Sequence, residues 1–131
     1  MVRAARVPGG IKMPVQIFGT RKNAATRKAE RFFAERRVLV HFVDLNERGA
    51  SKGELQRFSQ KFGIDALIDR SSKRFVEMGL GPSRYGPDRW LEILMDEPLI
   101  LMQPLVRNQQ KLTIGGACET EWKSWVAEGI K

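Results

Sequence analysis

The side chains equipped for chemistry in this sequence are few: one thiol, Cys118, one imidazole, His41, and a concentration of cations early in the chain. A cysteine at a helix N-terminus has its thiolate stabilised by the helix dipole and by neighbouring cations, and so becomes a nucleophile. The stretch from Pro14 to Lys28 has that setting, an apolar strand, a turn at Gly19 and the first turn of a basic helix, yet it contains no thiol. Its free backbone N–H groups, with Asn23 as cap and Arg27 and Lys28 close by, make it a candidate cradle for a phosphate or sulfate. A single cysteine excludes an internal disulfide, a CxxC pair and a multi-cysteine metal site, and a single histidine argues equally against a histidine-rich one.

These residues need a scaffold, and 131 residues with 42% apolar content suffice for one domain with a single core. Residues 1–13 read as a basic N-terminal leader and residues 14–131 as the domain. No apolar run reaches the roughly 18–20 residues of a membrane span, and the first ten residues lack the apolar stretch of a secretion signal, so a cytoplasmic protein without membrane contact is expected. The net charge of +8 is uneven: residues 1–62 carry 14 Lys/Arg against 5 Asp/Glu, and residues 63–131 carry 9 against 10. The surplus gathers on Arg21, Lys22, Arg27, Lys28, Arg31, Arg36 and Arg37, a face suited to phosphate, nucleic acid or an acidic protein. A solvated helix face, partly offset by Glu30 and Glu35, is the plainer account of the same charges.

Hydrophobic spacing sets the elements. Val15, Ile17 and Phe18 predict a short buried strand, and Asn23 is a good cap for a helix to about Arg36 with Ala25, Ala29, Phe32 and Phe33 inward. Val38–Leu45 predicts a second strand, parallel to the first across the intervening helix, with His41 buried or half-buried as a structural histidine. Ser51 and Glu54 have the form of a capping box, opening a helix with Leu55, Phe58 and Phe62 on its apolar side and Gly63 at its end. A short helix carries Phe75, Val76 and Met78. After the loop from Gly79 to Pro87, a helix over Asp88–Asp96 presents Trp90, Leu91, Leu94 and Met95. Leu99–Val106, a turn at Asn108–Gln110 and Leu112–Ile114 predict a hairpin. Glu119–Glu128 forms a last helix with Trp122, Trp125 and Val126 on one side. Cys118, at the start of that helix, is a free structural thiol whose pKa that position could lower.

Several segments together resemble the arsenate reductase (ArsC)/Spx family over about residues 14–128. They are Ile17-Phe-Gly-Thr-Arg-Lys-Asn-Ala-Ala-Thr-Arg-Lys28, similar to the family's strand, turn and cysteine-bearing helix start; Gly63-Ile-Asp-Ala-Leu-Ile-Asp-Arg70 with Met78-Gly-Leu80; Glu97-Pro-Leu-Ile-Leu-Met-Gln-Pro-Leu-Val106; and Lys111-Leu-Thr-Ile-Gly115. The resemblance implies an α/β, thioredoxin-like (glutaredoxin-like) fold. Its central sheet is mixed and four-stranded, with a helical insertion before a strand opened by a cis-proline, Pro104, at the substrate groove.

In reductases of this family the cysteine attacks arsenate and arginines hold the oxyanion. Matched by position, the nucleophile is Ala24, Arg27 stands where redox-active Spx relatives place a second cysteine, and Arg70 is a retained arginine. Gln103 stands in place of the arginine before the proline, and the late arginine has no counterpart near Leu112–Ile114. A methyl group forms no covalent adduct. The expectation is therefore a degenerate, non-catalytic member with no catalytic residue at Ala24, no cofactor and no metal; glutathione enters only through the resemblance. Three functions follow from this reading. One is binding of a protein partner through the basic helix at 21–37, the transcription machinery by analogy with Spx. Another is arsenate or glutathione-disulfide reduction with Cys118 or an external thiol. The third is an oxyanion sensor built on Asn23, Arg27, Lys28 and Arg70, beside a groove lined by Gln103 and Pro104.

Overall fold

A strand with apolar side chains on both faces belongs in the middle of a sheet, and β1 (Val15–Gly19) is placed there. The computed structural model describes residues 14–129; the leader at 1–13 lies outside them. β1 pairs in parallel with β2 (Val40–Asp44) and antiparallel with β3 (Leu105–Asn108), which pairs antiparallel with β4 (Lys111–Ile114). The sheet is mixed and four-stranded, in the order β2-β1-β3-β4. Among the described residues five α-helices accompany it: α1 (Ala24–Glu35), α2 (Lys52–Phe62), α3 (Lys73–Glu77), α4 (Pro87–Asp96) and α5 (Glu119–Ala127). α2, α3 and α4 lie between β2 and β3 in the chain, forming the helical insertion, and the Gln103–Pro104 peptide at the entry to β3 is cis.

Side-chain alternation divides the core in two. Val15, Ile17 and Val106 face α1 and α5, where Phe32, Phe33, Trp122 and Trp125 form one apolar cluster. Phe18, Val43, Leu105 and Leu112 face the opposite way, against Leu55 and Phe58 of α2 and Trp90, Leu91 and Leu94 of α4. Phe33, fully buried, has its ring 5.6 Å from that of Trp122 and 6.4 Å from that of Trp125, so one side chain joins the helices on its face of the sheet.

The local signals operate as their chemistry dictates. Asn23 accepts the Thr26 N–H to cap α1, Ser51 and Glu54 form the reciprocal capping box of α2, and Gly63 closes that helix at φ 87°. α1 ends without a glycine: the Arg37 N–H donates to the Ala34 carbonyl and the Val38 N–H to the Phe33 carbonyl, with Arg37 at φ 58°. That closure favours glycine because a Cβ in the left-handed region crowds its own carbonyl.

Several expectations need correction. The strand expected from Leu99 is confined to Leu105–Asn108, because Pro98–Ile100 coils into a 3-10 turn and Leu101 makes only an isolated bridge with Ile68. The second strand begins at Val40, and Leu39 is exposed. His41 is exposed too, since β2 is an edge strand. In α3 only Phe75 is buried, while Val76 and Met78 face outward with Phe62 of α2, which is 38% exposed. Val76 follows Phe75 directly and so stands about 100° round the helix from it, and Met78 lies beyond the last residue of α3.

Two stability outcomes follow. Phe33→Ala should cost about 3–5 kcal/mol in urea denaturation, as for a large aromatic removed from a filled core. Arg37→Gly should instead stabilise by about 1 kcal/mol by relieving the left-handed backbone, read as a higher urea midpoint at unchanged slope.

Candidate functional site

The chain leaves β1 at Gly19 and enters α1 at Ala24, and the site is built around that turn. Gly19 is required by close approach: a Cβ placed there would meet Thr26 Cγ2 at 2.8 Å. On the other side the first turn of α1 rests on the glycines after β4, where a Cβ on Gly116 would meet Ala25 Cβ at 2.8 Å. Ala24 itself is exposed at the first position of α1.

Gln103, next to Pro104, sends its side chain into this turn. Its Oε1 accepts the Thr20 N–H at 2.7 Å, the Thr20 hydroxyl at 3.0 Å and the Thr26 hydroxyl at 3.3 Å. Thr20 and Thr26 are both buried, so these donors would be costly to leave unpaired. Asn23 Oδ1 takes the Thr26 N–H at 2.9 Å and lies 3.2 Å from its hydroxyl. A neutral amide oxygen thus occupies donors that face the head of the helix. Thr20 and Thr26 were not singled out from the sequence; the available signal was Thr26 three residues after the cap.

The cationic candidates are dispersed. Arg27 is turned back on the loop before its own helix, donating from Nη1 to the Arg21 carbonyl at 2.9 Å and the Lys22 carbonyl at 2.8 Å. Lys28 pairs with Glu119 of α5 at 2.9 Å and holds that carboxyl below its usual range through their hydrogen bond and charge. Arg70 pairs with Asp65 at 3.3 Å and lies 5.7 and 5.5 Å from the ring centres of Phe75 and Trp90. Among the described residues no hydrogen bond or ion pair joins Arg70 to the head of α1. Pro104, directly before β3, is buried.

Cys118 corrects the expectation of a lowered pKa. It precedes α5, but it is half-buried and its Sγ–H donates to the Ile114 carbonyl at 3.3 Å. Burial, reinforced by the charge of Glu121, pushes its thiol up. It lines an apolar groove of about 510 Å³ with Phe62, Ala66, Met102 and Leu112.

The sequence profile of the ArsC family matches residues 18–122. The chain belongs to the ArsC family. YusI of Bacillus subtilis (strain 168), an uncharacterised protein, is 26% identical over 98 residues, covering 72% of this chain and 83% of YusI. The global transcriptional regulator Spx 2 of Oceanobacillus iheyensis is 25% identical over 105 residues, 79% of this chain and 77% of that protein. Among solved structures, the arsenate reductase from Vibrio cholerae superposes with a TM-score of 0.73 at 20% identity, covering 86% of this chain and 98% of that one, which establishes a shared fold. In this ArsC-family chain the fold expected from the four sequence segments is therefore present.

Because its folded-state pKa is raised, Cys118 favours the protonated form. Its contribution to stability is present below the pKa of the unfolded thiol and is lost as pH rises through the folded value. Alkylation by iodoacetamide at pH 7 should therefore run slower than for an unstructured cysteine peptide and keep rising above the pH where the peptide's rate levels off. A rate equal to the peptide's would contradict this.

Proposed function

We propose that this ArsC-family member is a binding protein without thiol chemistry of its own, acting on a protein partner. The observation that carries the reading is the amide oxygen of Gln103 on the Thr20 and Thr26 donors: a neutral acceptor is seated in the turn before α1, and no thiol stands at the head of the helix. Ala24 stands where the resemblance places the nucleophile, and the thiol that the chain does possess is half-buried, raised in pKa and engaged with a backbone carbonyl. A nucleophilic cysteine needs the reverse of each condition.

The partner surface we assign is the basic face at 21–37. Arg21 pairs with Glu30, Lys28 with Glu119 and Arg36 with Glu35, which tempers the face without neutralising it. Arg27 is held by carbonyls alone, and among the described residues no carboxylate pairs with Lys22, Arg31 or Arg37. An acidic protein surface complements such a patch, with long-range attraction speeding encounter. The relative Spx 2 is described as a global transcriptional regulator, which directs the search to the transcription machinery. Among the described residues no helix is long and apolar enough to cross a membrane.

The deciding assay supplies arsenate or a glutathione mixed disulfide with glutathione and glutaredoxin, and compares the native chain with Cys118→Ser. Neither should turn over above the protein-free rate; turnover that Cys118→Ser abolishes would make the protein an enzyme and end this reading. Alongside it, pull-down with Arg31→Glu/Arg37→Glu should lose a partner that the native chain retains at low salt and releases as salt is raised.

A further inference from the structure

The sheet carries a second polar assembly at the end opposite the head of α1. His41, Gln16 and Arg107 are directly paired across β2, β1 and β3: Gln16 is in register with His41 on one side and with Arg107 on the other. All three point to the α2 face, because each lies two residues from an apolar member of that face, Val43, Phe18 and Leu105. One step along the strands that face is core; at this end it is a row of imidazole, amide and guanidinium. The covering helix supplies Arg57, and the turn between β3 and β4 supplies Gln109 and Gln110. Together with Pro14 they line a cavity of about 320 Å³ that is open to solvent. A second hollow of about 380 Å³ shares Arg57, Gln109 and Gln110 and adds Lys61.

The charges here are uncompensated. Neither lining contains a carboxylate. Among the described residues no acidic side chain pairs with Arg57 or Arg107, as none pairs with Arg27, Arg31, Arg37 or Arg84, but only Arg57 and Arg107 line a common cavity. Residues 1–13 contain no Asp or Glu that could supply one. Arg107 is also pre-oriented: its Nε donates to the Gln109 carbonyl at 2.6 Å and its Nη1 lies 3.5 Å from Gln16 Oε1. A guanidinium fixed on one edge presents its remaining N–H groups in a set direction, which suits the oxygens of a phosphate.

We infer that this cavity is a binding site for a phosphate monoester of nucleotide size. Arg57 and Arg107 would take the phosphoryl oxygens, and His41, Gln16, Gln109 and Gln110 the polar groups of the remainder. The volume exceeds what a bare phosphate fills and lies at the lower end of ordinary small-ligand pockets, roughly 300–1,000 Å³. Amide side chains offer both donors and acceptors, so they suit hydroxyls or a base edge better than a second anion. The inference does not depend on the reading of the α1 site, since the two share no residue.

The test is titration of the full-length protein, isotopically labelled, with AMP, ribose 5-phosphate and inorganic phosphate, followed by amide chemical shifts. AMP should move the resonances of Gln16, His41, Arg107, Gln109 and Gln110 together, and bind at least tenfold more tightly than inorganic phosphate. Arg57→Gln, an exposed helix-surface change that leaves the core intact, should weaken AMP about tenfold, the equivalent of roughly 1.4 kcal/mol. Arg57→Lys should recover part of the loss and Arg27→Gln should have no effect. Unmoved resonances at millimolar AMP, equal affinity for AMP and inorganic phosphate, or an Arg57→Gln protein that binds like the native one would each overturn the proposal.

Discussion

The hydrogen bonds from Thr20 and Thr26 to the side-chain oxygen of Gln103 constrain everything at the head of α1. They tie the turn after β1 to the segment before β3, residues more than seventy positions apart in the chain. The tie works only because Gly19 lacks a side chain where Thr26 must pass, and because Asn23 caps the helix so that Thr26 is held in place. A buried donor without a partner costs about 1–3 kcal/mol, so three contacts on one acceptor make Gln103 a structural member of the turn as much as a lining of a groove.

The two ends of the sheet differ in their electrostatics. At the head of α1, positive charge is drawn off sideways: Arg27 to backbone carbonyls, Lys28 to Glu119, Arg70 to Asp65. The helix dipole meets an amide rather than an anion. At the far end of the same sheet, the His41–Gln16–Arg107 row and Arg57 surround a cavity with no carboxylate in its lining. Cations without a carboxylate partner therefore stand at both ends, Lys22, Arg31 and Arg37 on and around α1 and Arg57 and Arg107 around the far cavity.

Much of the fold was legible in the residues because its signals are local. Asn23, Ser51 with Glu54, and Gly63 mark helix ends through contacts made within a turn of themselves. The apolar faces of α1 and α2 followed from spacing, and the four family segments supplied the order of the elements. What misled was apolar content without context. Leu99–Leu101 read as strand but is bent by Pro98 and finds only one bridge, and His41 read as interior although its strand lies at an edge. Cys118 read as a structural thiol whose pKa its place before a helix could lower, whereas burial and Glu121 raise it and its hydrogen bond goes to Ile114.

By itself the sequence determined that no cysteine stands between Pro14 and Arg37, that the positive charge is concentrated in the first half, and that a strand, a capped basic helix and a second strand open the fold, because composition and nearest-neighbour capping need no tertiary information. Only the tertiary structure decided which donors Gln103 would engage, which cations would find carboxylates, and that Gln16, His41, Arg57 and Arg107 would meet around one cavity. Those outcomes depend on strand register and helix placement, which bring together side chains that no local pattern relates.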